Sequence, residues 1–144
     1  MQTTDTINLI QECDVGTKMA VSSIDEILES VHDNNMKQLL QESKAHHKEL
    51  EGELLSLMDK YKIEEKEPSA IAKGMSWIKT NMKMRINGSD ETAADLITDG
   101  CNMGIKSLNR YLNQYKMADN SSKNICMRLI SIEEQLCREM RKYL

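Results

Sequence analysis

The sequence predicts an all-α fold, a bundle of four long helices with a shorter helix between its two hairpins. Three observations carry this. Apolar residues recur every three or four positions through four long stretches, which is the period of one helix face and not the alternation of a strand. The breaks between stretches hold side chains suited to closing a helical hydrogen-bond ladder. The only proline, Pro68, falls in an acidic, lysine-rich connector, where the first turn of a new helix tolerates a missing amide.

The elements follow in order. Thr3 or Thr4 caps a first helix over 4–31, with Ile10, Cys13, Ala20, Ile24, Ile27 and Val31 on one face. His32-Asp33-Asn34-Asn35 is a tight connection to a second helix over 35–62, which turns Met36, Leu40, Leu50, Leu54 and Met58 inward. A third, over 69–86, presents Ile71, Met75, Trp77, Ile78 and Met82. The turn Asn87-Gly88-Ser89 and the acids Asp90 and Glu91 then suit a helix N-terminus, where the dipole favours negative charge. The fourth helix covers 90–117 with Ala94, Ile97, Leu108, Leu112 and Tyr115 inward, and the fifth covers 121–143 with Ile125, Leu129, Leu136 and Met140. No linker or internal repeat divides the chain, so residues 1–144 are expected to form a single domain.

Short links make the first two and the last two helices antiparallel hairpins. The 69–86 helix, about 27 Å long at 1.5 Å per residue, can carry the chain from one end of the bundle to the other. The succession Leu9-Ile10-Gln11-Glu12-Cys13-Asp14-Val15-Gly16, then Met75-Ser76-Trp77-Ile78-Lys79, then Asp99-Gly100-Cys101-Asn102-Met103-Gly104 and Arg110-Tyr111-Leu112 resembles a family of small bacterial ferritin-like proteins of unknown function. The resemblance covers nearly the whole chain. It implies a ferritin-like four-helix bundle with an additional crossover helix, and it implies no particular activity.

Composition excludes several classes. Acids and bases are interspersed at a net charge of −4, so no basic field attracts nucleic acid. No apolar run approaches the ~18 residues of a membrane span, and the N-terminus lacks a basic segment followed by an apolar one. The expected location is the cytoplasm, with no membrane partner. The four cysteines, Cys13, Cys101, Cys126 and Cys137, are widely spaced and form no C-x-x-C pair, which favours free, buried thiols over disulfides or a zinc ribbon. The eleven methionines are scattered along helix faces as adaptable core filler. His46 projects to the flank of its helix beside Glu42, and the run Glu64-Glu65-Lys66-Glu67 reads as solvated connector.

A ferritin-type di-iron centre needs a carboxylate from each of two helices and a Glu-x-x-His pair from each of the others. Ser43 and Lys44 stand three residues before His46 and His47, while Leu136 and Cys137 stand three residues after Glu133 and Glu134, so both pairs are missing. At 100° per residue, Glu12, Glu26 and Asp99 turn away from the apolar faces and Asp14 lies at an edge. No phosphate-binding loop, ordered nucleophile or hydrolytic carboxylate pair is present, and no catalytic residue is assigned.

Polar residues nevertheless interrupt the apolar faces. His47, Cys101 and Glu133, with Thr17 beside them, project within about 30° of the face centres. They fall at nearly one level, within roughly 5 Å along the axis. Cys137 is a further member, slightly higher and off-centre. Two arrangements account for this. A His47–Glu133 hydrogen bond would satisfy two polar groups and fix helix register, with the cysteines acting as small hydrophobes. Alternatively, His47, Cys101, Glu133 and Cys137 would ligate a single zinc or iron ion. The first is favoured because core polar pairs are more often structural, so no cofactor is expected. The functional expectation is binding or assembly without catalysis, by a homo-oligomer whose protein partner the sequence does not identify. The alternative is a metal-binding or redox-active bundle.

Overall fold

The computed structural model describes residues 2–66 and 89–144, and the expected crossover helix, with Ile71, Met75, Trp77, Ile78 and Met82, lies outside them. The described residues form four α-helices and no strand: α1 (Thr4–Leu28), α2 (Asn34–Tyr61), α3 (Asp90–Gln114) and α4 (Asn120–Met140), closed by a 3-10 turn at Arg141–Tyr143. Each helix opens on an oxygen-bearing side chain that satisfies an orphan amide of the first turn. Thr3 accepts from the Thr6 amide, Asp33 from Met36, Ser89 from Thr92 and Asp119 from Ser122. α1 stops three residues short of the expected Val31. The Ser30 amide turns back to the Ile27 carbonyl at 2.9 Å, yet Val31 stays buried.

The capping residues also fix helix direction. Asp119 accepts from the Tyr61 hydroxyl at the end of α2 (3.2 Å), while its own amide donates to Thr6 (2.8 Å). The Met117 amide donates to Asp5 (2.8 Å). One end of the bundle therefore gathers the start of α1, the end of α2 and the α3–α4 link. At the other end the Asp90 carboxylate accepts the amides of His32 and Asp33, at 2.8 and 2.9 Å, joining the α1–α2 turn to the start of α3. α1 and α4 thus run one way, and α2 and α3 the other. α1 packs on α2, α3 and α4, and α4 packs on α2 and α3.

Residues 63–66 double back along α1. The Gln11 side-chain amide donates to the Glu64 carbonyl (2.9 Å), Lys18 bridges Asp14 (3.0 Å) and Glu65 (2.7 Å), and Lys66 pairs with Glu12. The connector expected to be solvated is, over these residues, tied to the helix by charge. Asp14, expected at an edge, is buried, and its second oxygen has no partner. Lys18, one turn later, supplies the compensating charge.

The core comes in two apolar parts. Ile24, Ile27, Met36, Leu40, Leu96 and Met140 pack near the α1–α2 turn, and Leu9, Ile10, Leu50, Leu54, Leu108 and Leu129 near the opposite end. No helix among the described residues is long and apolar enough to cross a membrane.

Candidate functional site

Between these two cores, at the middle of the bundle, a cavity of about 130 Å³ opens along the seam of α1 and α3. Small residues make the space. Gly16 and Ala20 on α1 and Gly100 and Gly104 on α3 form i, i+4 pairs along the two facing helices. Val15, Met19, Met103 and Leu108 supply apolar walls, and His47 from α2 and Glu133 from α4 reach in from behind.

His47 has 0 % of its surface exposed. Its Nδ1 lies 2.7 Å from the Ser43 carbonyl, one turn back on α2. A carbonyl only accepts, so Nδ1 carries the proton and Nε2 keeps a bare lone pair. Burial lowers the ring's pKa from the ordinary histidine value, which keeps the ring neutral and that lone pair available. Among the described residues Nε2 has no hydrogen-bond partner.

Glu133 is 7 % exposed and its carboxyl lies against Gly104 of α3. A Cβ at position 104 would stand 2.5 Å from Oε2, so only glycine lets the acid approach that closely. Burial first, and then the nearby Cys126, push the carboxyl pKa up to about 8, so it is mainly protonated at neutral pH. Oε2 also lacks a partner.

His47 and Glu133 therefore line one cavity but do not make the hydrogen bond expected between them. The donor that His47 possesses is already committed within its own helix. Thr17 is likewise satisfied locally, donating to the Cys13 carbonyl at 2.7 Å. Cys101 lines the same cavity as a buried thiol, held protonated because burial, Glu133 and Cys137 all raise its pKa well beyond the usual range. Cys137 points elsewhere, its sulfur 3.6 Å from Asn102 Oδ1. Among the described residues, no group of three or more histidine, cysteine or acidic side chains stands close enough to hold a metal ion.

Two features escaped the helical projection. Glu12, placed opposite the apolar face, lines the mouth of the cavity with Tyr111; burial, and then that acid, raise the tyrosine pKa to about 12. Cys13 on α1 and Cys126 on α4 are neighbours, the Cys126 thiol donating to the Leu108 carbonyl at 3.7 Å. The adjacent Cys126, followed by burial, raises the Cys13 pKa well above its ordinary value. All four cysteines are free and buried. The available signal was the glycine and alanine at four-residue spacing on α1 and α3, Gly16–Ala20 and Gly100–Gly104, which marks where two helices leave room between them. Comparison of the chain with protein-family models, with curated proteins and with solved structures finds no match.

Proposed function

We propose that this protein is a ferritin-like helical bundle without a di-iron centre that works by binding, and that a small, mainly apolar molecule seats in the α1–α3 cavity. The ferritin-like assignment is supported by the parallel course of α2 and α3, which requires a connection running the length of the bundle. One observation carries the binding role. Two buried polar atoms from different helices, His47 Nε2 and Glu133 Oε2, line a single mainly apolar cavity and have no hydrogen-bond partner among the described residues. Each such atom costs about 1–3 kcal/mol while unsatisfied, and a ligand that meets both recovers that energy on binding. The volume, close to the ~150 Å³ that accommodates benzene in an engineered protein cavity, suits a single ring with one polar substituent.

Calorimetry with benzyl alcohol tests this. The expected result is saturable 1:1 binding with a matching rise in melting temperature, both lost in Ala20→Phe, where the new ring fills the space. An absence of heat, or equal heat from the filled variant, would overturn the assignment. Zinc or iron held by His47, Cys101 and Glu133 is the competing reading, supported by their sharing one cavity wall. It predicts stoichiometric metal in the purified protein and its loss in His47→Ala.

A further inference from the structure

We infer that the molecule this cavity selects is a hydrophobic amine, with its nitrogen against Glu133 and His47 and its hydrocarbon body between α1 and α3. The inference rests on the binding role proposed above and specifies its ligand class.

The cavity's polar groups are unbalanced. His47 Nε2 can only accept, because its sister nitrogen holds the ring's proton against Ser43. Glu133 offers a carboxyl with one oxygen unpartnered, and Glu12 adds a second acid at the mouth. No lysine or arginine is among the described residues lining the space. The Lys66 ammonium, which reaches Glu12, is paired with that acid. A carboxylate or phosphate ligand would meet acids and a bare lone pair with no cation to offset them, at the full cost of burying a charge. An alcohol can donate to Nε2 and accept from Glu133 while that acid is protonated, but it brings no charge to balance the carboxylate form.

A primary amine supplies donors to both. It also balances charge in either proton arrangement, as an ammonium beside a carboxylate or as a neutral amine beside a carboxylic acid. No net charge is buried, and the hydrogen bonds are charge-assisted in the first case. Val15, Met19, Met103 and Leu108 make most of the remaining wall apolar, with the hydroxyls of Ser23, Ser107 and Tyr111 also on it, so the body of the molecule is mainly hydrocarbon.

The test is a ranking of three near-isosteric probes on the wild-type protein at pH 7.5: benzylamine, benzyl alcohol and benzoate. Benzylamine is expected to bind at least tenfold more tightly than benzyl alcohol, with benzoate not binding. In Glu133→Gln the amine's advantage should fall to within about twofold of the alcohol. If benzyl alcohol binds and benzylamine binds no better, or if the advantage survives in a folded Glu133→Gln protein, the amine assignment fails while the binding role stands. If none of the three binds, both fail together. The wild-type ranking decides by itself should the variant not fold.

Discussion

Toward the α1–α2 turn, Ile27, Met36, Leu40 and Met140 are wholly buried and bring no polar side-chain oxygen or nitrogen with them. Near mid-bundle, His47 is buried just as deeply and Glu133 nearly so, yet each leaves a polar atom unmatched. Both regions bury their side chains, but only the apolar layers do so without leaving a polar atom unmatched. An aliphatic side chain at position 47 or 133 would extend the apolar core without a desolvation cost. The contrast therefore separates the part of the molecule that holds the fold from the part where stability is lowered and contact with a ligand can restore it.

The sharpest way to separate the two regions is pH. The Glu133 carboxyl has a folded-state pKa near 8 against an ordinary value of 4.5, so between these values the native state holds a proton that the unfolded chain has released. Stability should be greatest below pH 4.5 as far as this group is concerned, and should fall by on the order of 4 kcal/mol as pH rises past 8. Urea melts across this range check it, and Glu133→Gln should flatten the slope. His47 acts in the opposite sense. Its lowered pKa means that stability is lost as pH drops below about 6.5 toward the folded-state value.

An end-layer truncation should be comparable in size but indifferent to pH. Leu129→Ala, at a fully buried site of the lower core, is expected to cost about 2–5 kcal/mol in the same melts, with the pH slope unchanged. The Asp119 hub should matter less. Asp119→Ala removes an N-cap and the acceptor for Tyr61, and should cost about 1–2 kcal/mol by urea denaturation. Smallest of all is the bidentate pair between Arg128 and Glu53, whose side chains are both about two-fifths exposed. Arg128→Ala should change the urea-derived stability by no more than about 0.5 kcal/mol, with the difference vanishing in high salt.

What could be read from the sequence divides along the same line. Helix starts were legible because capping is local: Thr3 and Ser89 declare themselves by type and position, and the short links imply hairpins, while the second helix was placed from 35 although Asp33 caps it and Asn34 opens it. The fifth helix was placed from Ser121, whereas Asp119 caps it and Asn120 opens it, a one-residue slip among adjacent polar residues that could each serve. His47 and Glu133 stood out because each breaks an apolar face. Their failure to bond to one another was not legible, since it depends on how neighbouring helices place the two side chains: the His47 proton goes to the Ser43 carbonyl and the Glu133 carboxyl lies against Gly104. Glu12 and Asp14 were misjudged for a related reason. A helical wheel gives the direction of a side chain but not which neighbouring helix, or which returning stretch of chain, covers that flank. Lys66 meets Glu12 only because residues 63–66 fold back along α1, while Lys18 meets Asp14 one turn away on the same helix and is shared with Glu65 of that returning stretch.

The directions of the helices carry a mechanical consequence. Residue 3 sits where α3 meets α4, and residue 143 sits at the opposite end, because α1 and α4 point the same way. A force applied between those two residues pulls along the bundle's long axis, about 40 Å for a helix the length of α2. Such a load slides α1 past α4 and strains many side-chain contacts at once. Pulling instead on the two ends of the α1–α2 hairpin would peel one layer after another. Optical-tweezer traces should accordingly show a higher and more abrupt rupture for the first geometry than for the second.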